Sequence, residues 1–186
     1  MRKFLVAAVL TAMTMLPAAA RAGLLLEASV GKGLQASPKP VDGVSRWEQT
    51  NLEIAPGYAP SLPVLSMFRL QLGIVMDFGD KTGTKSNVEL RPMLSLVPPV
   101  LPLYGRVIFG VNNLFDRDGS KREILYGGAV GVRIGLPGIA FVPALGIFAE
   151  VGALPRKRDV PNLNTLAVDS KLVWIVEARA GAYINF

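Results

Sequence analysis

Residues 171–186 read KLVWIVEARAGAYINF. Taken two at a time, Leu172, Trp174, Val176, Ala178, Ala180, Ala182, Ile184 and Phe186 are all apolar. The interleaved set is Lys171, Val173, Ile175, Glu177, Arg179, Gly181, Tyr183 and Asn185. Successive side chains of a strand point to opposite faces, so this pattern is a strand with one oily and one mostly polar face. It is long against the usual five or six residues of a strand in a soluble protein. It runs to the end of the sequence and stops on an aromatic. A soluble protein rarely leaves so long an apolar face on a terminal edge strand, where it invites pairing with another chain. A closed barrel in a membrane uses both faces, one against lipid and one toward the lumen, and its edge pairs with the first strand. An edge strand of a soluble sandwich is the alternative.

The same alternation recurs along the chain. Leu24, Leu26, Ala28 and Val30 stand against Glu27, Ser29 and Gly31. A polar stretch with two prolines follows, to about Arg46. Leu52 and Ile54 stand against Gln49, Asn51 and Glu53 in a weaker strand over 47–57, and 57–63 is a short turn. The cleanest internal strand is 64–78. There Phe68, Leu70, Leu72, Ile74, Met76 and Phe78 face one way, and Arg69, Gln71, Gly73 and Asp77 the other, with Val75 as the exception. Phe68 and Phe78 lie ten residues apart. At about 3.3 Å per residue and a tilt near 40°, that spans roughly 25 Å, the height of the apolar band of such a barrel. The two rings are expected at opposite interfaces.

Beyond a polar hairpin loop (79–85), residues 86–96 put Val88, Leu90, Pro92, Leu94 and Leu96 outward, and Asn87, Glu89, Arg91 and Ser95 inward. Pro92 cannot donate to a ladder, so it is expected near a bulge or a strand end. A tight apolar turn (97–102) leads to 103–112, with Gly105, Val107, Phe109 and Val111 against Tyr104, Arg106, Ile108, Gly110 and Asn112. After a charged loop (113–123), residues 124–136 put Val130, Val132, Ile134 and Leu136 outward and Gly127, Ala129, Gly131, Arg133 and Gly135 inward. Pro137-Gly138 reads as a turn. In 139–153, Phe141, Pro143, Leu145, Ile147, Ala149 and Val151 face out and Glu150 faces in. A long polar loop is expected over 154–170.

This gives eight strands joined as hairpins. Connections one, three, five and seven are long and polar, and two, four and six are short and rich in Pro, Gly and apolar residues. That asymmetry predicts short periplasmic turns, longer outer loops and periplasmic termini. The expected fold is all-β: a closed antiparallel up-and-down transmembrane β-barrel of eight strands. A helical membrane protein is the rival, since 136–155 is mostly apolar and long enough to span. It contains Pro143 and Glu150, and Pro98, Pro99 and Pro102 would break a second such helix. A soluble lipocalin-like barrel would show the inverse pattern, polar side outward.

Upstream, Met1-Arg2-Lys3, the apolar run 4–16, Pro17 and Ala20-Arg21-Ala22 fit the three parts of a secretory signal peptide. The expected organisation is a cleaved signal over 1–22 and a barrel over 23–186. Removing Arg2, Lys3 and Arg21 takes the formal charge from +6 to +3, so the basic balance says little about nucleic acid, and none is expected as a partner. There is no Cys, so disulfides do not stabilise the exported chain.

The inward set carries both signs of charge: Glu53, Arg69, Asp77, Glu89, Arg91, Arg106, Arg133, Glu150, Glu177, Arg179 and Lys171. An eight-stranded barrel has an interior only wide enough for side chains. One reading is that these charges pair and plug the lumen, because an unpaired buried charge is costly. The other is a narrow pore, favoured by inward Gly73, Gly110, Gly127, Gly131, Gly135 and Gly181. With no His in the chain, Ser–His and Asp–His catalysis are excluded, and zinc is not expected without His or Cys. No enzyme activity, cofactor or metal is expected. Asp116-Arg117-Asp118-Gly119-Ser120 lacks ligand positions of a calcium loop and reads as a hairpin tip. Gly31-Lys32-Gly33 lacks the spacing of a phosphate loop. Arg156-Lys157-Arg158 fits an outer loop, either meeting lipopolysaccharide phosphates or simply solvated.

The ending resembles the C-terminal assembly signal of bacterial outer-membrane β-barrels, carried by Arg179, Gly181, Ile184 and Phe186, with Ile184 in place of the commoner aromatic. Together with the signal peptide and eight amphipathic strands, it makes the chain similar to the small outer-membrane β-barrels of Gram-negative bacteria. The resemblance implies an outer-membrane location and insertion by the β-barrel assembly machinery. It does not imply one activity. The functions expected are a structural or binding barrel, as a subunit of an envelope-spanning complex, or a diffusion channel for small solutes. An envelope enzyme is the weakest.

Overall fold

Alternation with a period of two can bury one face of every strand only if the strands share a common inside, and eight of them do. In the computed structural model, residues 23–37, 45–60, 65–78, 88–99, 101–112, 123–136, 144–162 and 167–186 are described, with backbone alone at 49, 123, 157–162 and 167–171. The strands are β1 (Leu24–Ser37), β2 (Trp47–Tyr58), β3 (Phe68–Phe78), β4 (Val88–Leu96), β5 (Leu103–Asn112), β6 (Glu123–Gly135), β7 (Ala144–Asn162) and β8 (Ala167–Asn185). Each pairs antiparallel with the next, and β8 pairs back onto β1, so the sheet is a closed eight-stranded up-and-down barrel. Closure removes both free sheet edges. The seam runs from Leu25 opposite Asn185 to Ser37 opposite Trp174, with a further bond from Phe186 N–H to the Leu24 carbonyl.

The strand faces fall as the alternation predicts. Glu27, Glu53, Glu89, Arg91, Ser95 and Arg106 are buried inside, whereas Val30, Leu70, Phe109, Ile124, Val130 and Ile134 are exposed outside. Val75 takes an inward position and is buried there as well. Phe68 pairs with Leu96 beside the 97–102 connection, and Phe78 pairs with Thr50 at the other end, so the two rings do lie at opposite rims. The rim holding connections 59–67, 97–102 and 136–143 is called the turn side here, and the other the loop side.

Four expectations about boundaries are corrected. The long loop over 154–170 is mostly strand: β7 and β8 stay paired out to Asn162 opposite Ala167, leaving only 163–166 between them. Rungs beyond Trp174 pair with β7 alone, so a two-stranded ribbon continues past the seam. β3 starts at Phe68 rather than Val64, preceded by one turn of 3-10 helix at Leu65–Met67, so the connection before it is as long as several on the loop side. β1 continues to Ser37, with register shifts between Lys32 and Leu34 and between Gln35 and Ser37. Pro92 sits neither at a bulge nor at a strand end. It lies mid-β4, opposite Leu72 in unbroken register with β3. Toward β5 the ladder passes from Leu90–Val111 to Met93–Ile108, and Pro92 lies in that gap. Its missing N–H therefore costs pairing on one side only.

The expected signal peptide (1–22), the hairpin at 79–85, Asp116 to Ser120, Pro137-Gly138, Phe141 and Pro143 lie outside the described residues, as do the side chains of Gln49, Lys157, Arg158 and Lys171.

Inside, aromatic rings lie over cross-strand glycines. Tyr183 is opposite Gly146, where a Cβ would come within 2.2 Å of Tyr183 Cζ. Tyr104 is opposite Gly131, where a Cβ would be 2.8 Å from Tyr104 Cε1. With Leu25 and Phe148 these two tyrosines form an apolar cluster toward the turn side, against which Val97 packs. Tyr104 and Phe148 meet edge to face at 6.5 Å. Gly146→Ala is therefore expected to displace the Tyr183 ring and destabilise the barrel by about 1–3 kcal/mol. Gly105→Ala, where a Cβ meets nothing within 4 Å, should be near neutral. Urea unfolding of both variants in lipid vesicles checks the contrast.

Candidate functional site

In a strand, residues i and i+2 share a face. Glu89 and Arg91 of β4, and Glu177 and Arg179 of β8, are two such Glu-x-Arg pairs, both inward and buried. β4 and β8 are four strands apart in the ring of eight, on opposite walls. The two pairs meet across the lumen. Arg91 donates from Nη1 to Glu177 Oε2 at 2.9 Å, from Nε to Glu89 on its own strand, and lies 3.5 Å from Glu53 of β2. Arg179 donates from Nη2 to Glu177 and to Asn51 Oδ1, both at 2.8 Å, and from Nη1 to Ser29 Oγ at 3.1 Å. Its Nη1 is also 3.4 Å from Glu53. Asn51 Nδ2 donates to Glu177 Oε1 at 2.6 Å.

A second cross-lumen bridge joins β5 to β1, again opposite walls. Arg106 donates from Nη2 to Glu27 Oε2 at 2.7 Å, from Nη1 to Glu150 at 3.3 Å, and from Nε to Ser95 Oγ at 3.0 Å. The guanidinium lies 5.4 Å from the Tyr104 ring centroid and 5.8 Å from that of Phe148. Tyr104 donates its hydroxyl to Glu150 Oε2. Arg133 of β6 takes the other oxygen of Glu27. Arg106 and Glu53 stand 3.9 Å apart, which links the two halves into one network.

The structure thus brings together Glu53, Glu89, Arg91, Arg106, Arg133, Glu150, Glu177 and Arg179 of the expected lumen set. Two members differ. Arg69 points inward but joins no ion pair among the described residues, and Asp77 is only half-buried toward the loop-side rim. Lys171 cannot be placed beyond its backbone position opposite Arg158. Two charged participants were not in the expected set. Glu27 is the counter-charge shared by Arg106 and Arg133; its parity with Ser29 and Gly31 already puts it inward. Arg156, expected in an outer loop either against lipopolysaccharide or simply solvated, lies in β7 and donates to Glu89 Oε2 at 3.0 Å. Extended pairing of β7 turns it to the inside.

Of the assembly-signal residues, Arg179 is a buried member of the network, and Gly181 packs against Ser29 of β1, where a Cβ would lie 2.6 Å from Ser29 Cβ. Ile184 and Phe186 are half-exposed at the turn-side rim.

Most inward glycines are covered by neighbours, while Gly135 is exposed at the turn-side rim. A Cβ at Gly73 would meet Met93 Cε at 3.0 Å, at Gly110 Glu89 Oε1 at 3.3 Å, at Gly127 Leu154 Cδ2 at 2.7 Å, and at Gly135 Tyr183 Oη at 3.4 Å. Leu125, Leu154, Val173 and Ile175 are buried toward the loop side. Chemically the interior is a set of matched Glu–Arg pairs holding opposite walls together. Among the described residues no group of three or more His, Cys, Asp or Glu is arranged to hold a metal.

Removing one partner of a buried pair leaves its counter-charges unmatched. Arg91→Met strips Glu53, Glu89 and Glu177 of a shared cation. It is expected to cost about 3–5 kcal/mol, read as a lowered urea midpoint. Substituting the exposed Lys32, which lies 5.3 Å over the Trp47 ring, should cost about 0.5–1 kcal/mol.

No family model and no curated protein matches the chain. Among solved structures it is similar to the crystal structure of Neisserial surface protein A (NspA), at 17% identity, covering 88% of this chain and 96% of that chain, with a TM-score of 0.47. At that TM-score the likeness adds no weight to the architecture, which stands on the strand pairing and closure described above.

Proposed function

We propose that this chain is an integral outer-membrane β-barrel with a non-enzymatic, structural or binding role, its lumen closed by ion pairs. One observation carries the reading: the barrel is inside out. Its outer wall is a belt of exposed hydrophobic side chains, Leu, Ile, Val and Phe from seven strands with Trp47 and Tyr58 from β2, and its interior is packed with buried Glu and Arg. In water such a wall would be an association surface far larger than monomers tolerate. In a bilayer it is the lipid contact, and the closed ladder pairs the wall-crossing backbone without water, with interruptions beside Pro56 and Pro92.

Aromatic side chains fit the two interfaces, Trp47, Phe78 and Trp174 at the loop side and Tyr58 and Phe68 at the turn side, all outward and exposed. Such girdles are usual where rings meet headgroups. The partners that follow are outer-membrane lipid and lipopolysaccharide around the belt, and the β-barrel assembly machinery acting on Arg179, Gly181, Ile184 and Phe186. With the strand ends Leu24 and Asn185 on the turn side, that side faces the periplasm in this orientation, where an envelope protein partner would dock.

Against the diffusion-channel reading stand the covered glycines and the cross-lumen bridges. Purified refolded barrel in planar bilayers should give no discrete conductance steps. Steps that change with Arg106→Ala or Glu150→Ala would overturn the closed-lumen reading and establish a channel. For the membrane placement, emission of the two tryptophans should shift to the blue on refolding into vesicles. Bromines near the lipid headgroups should quench it more than bromines at the bilayer centre.

A further inference from the structure

At the turn-side end of the lumen the matching of charges fails. Arg133 of β6 and Arg69 of β3 both face the Tyr183 ring, their guanidinium carbons 3.5 Å and 6.0 Å from its centroid. Gly146 lies close against the ring, a Cβ there falling 2.2 Å from Tyr183 Cζ. Among the described residues Arg133 pairs with Glu27 alone, and that carboxylate is shared with Arg106, which takes its other oxygen at 2.7 Å. Arg69 has no carboxylate within ion-pairing distance among the described residues. Four guanidinium nitrogens, Arg69 Nε and Nη1 and Arg133 Nε and Nη2, are buried with no hydrogen-bond partner. Arg133 itself is 6% exposed.

Buried donors without acceptors are costly, more so when charged, and two cations over one ring repel. Single unpartnered nitrogens occur at the other end too, on Arg91 and Arg156, but those guanidiniums face carboxylates. A guanidinium stacked on an aromatic face keeps its in-plane N–H edges available. The arrangement therefore presents N–H donors from two walls, above an apolar floor, with positive charge in excess.

We infer that Arg69 and Arg133 form a binding site for a small tetrahedral oxyanion of the phosphate type, entered from the turn side. Its oxygens would accept from both guanidinium edges, the geometry for which arginine is suited. Access is at the rim: Arg69 is half-buried, Asn185 and Phe186 are partly exposed, and Gly135 and Leu136 are exposed. The site lies inside the wall, so the ligand is a soluble anion rather than a lipid headgroup. The inference uses the membrane reading only to say that the mouth faces the periplasm; binding itself is measured in detergent, independently of conductance.

The test is calorimetric titration of the folded, detergent-solubilised barrel with inorganic phosphate at constant ionic strength, against chloride. One saturable site per barrel is expected. Arg69→Gln and Arg133→Lys should each weaken it by about tenfold or more, while Arg156→Gln, at the far end of the lumen, should leave it unchanged. Because Arg69 is half-buried, Arg69→Lys gives a second, milder variant that keeps the charge and loses the fork, and circular dichroism verifies that each variant is folded. No saturable phosphate binding by folded wild type overturns the site, as does unchanged affinity in both folded Arg69 variants. In nanodiscs, phosphate affinity should be the same with and without phosphatidic acid; competition by that lipid would overturn the soluble ligand.

Discussion

Charges enclosed in a narrow apolar-walled cylinder must be matched there, because water cannot reach them and the wall offers little else. That demand shapes the interior of this protein. Guanidiniums on β4, β5 and β8 reach carboxylates on β8, β1 and β2, and two of the bridges span the full width of the ring. The bridges are favourable only when all partners are present, since a buried pair roughly balances its own desolvation whereas an orphan does not. The network therefore specifies an arrangement more than it adds stability. A strand displaced by one residue along its neighbour would turn its Glu and Arg outward and its Leu and Val inward. Seven strands supply charges to this network, so the displacement is penalised on both faces at once.

The glycines complete the same geometry. Tyr104 and Tyr183 are large for so small a bore, and each lies over a glycine on the neighbouring strand. Arg106 runs between Tyr104 and Phe148. At these two positions a small and a large inward residue lie opposite each other, and the ring takes the space that the glycine leaves.

The faces of the strands were legible from residue parity, because the wall separates outward from interior positions, with Val75 as a buried apolar residue on the interior face. Which interior charges meet was not. That depends on the stagger between strands, which parity does not encode, so Arg69 reads the same as Arg91 although only Arg91 has carboxylates opposite. Glu27 is legible by parity, since it shares its buried face with Ser29. The β7–β8 ribbon was missed for a physical reason. Past the seam neither face is apolar, so Arg156, Asp159 and Pro161 carry no alternation and the two prolines look like breakers. Main-chain pairing carries those rungs, and pairing leaves little trace in composition.

The seam also dictates a timetable. β1 and β8 are the strands most distant in sequence, yet their register from Leu25–Asn185 to Ser37–Trp174 closes the ring. Every other pair is a hairpin between sequence neighbours and can form locally, with little loop entropy to overcome. Until β8 arrives, β1 is an open edge and Glu27 and Ser29 face a half-built trough. Closure of this seam converts an amphipathic sheet into a closed tube, and the open sheet before it is the state whose edges invite pairing with other sheets.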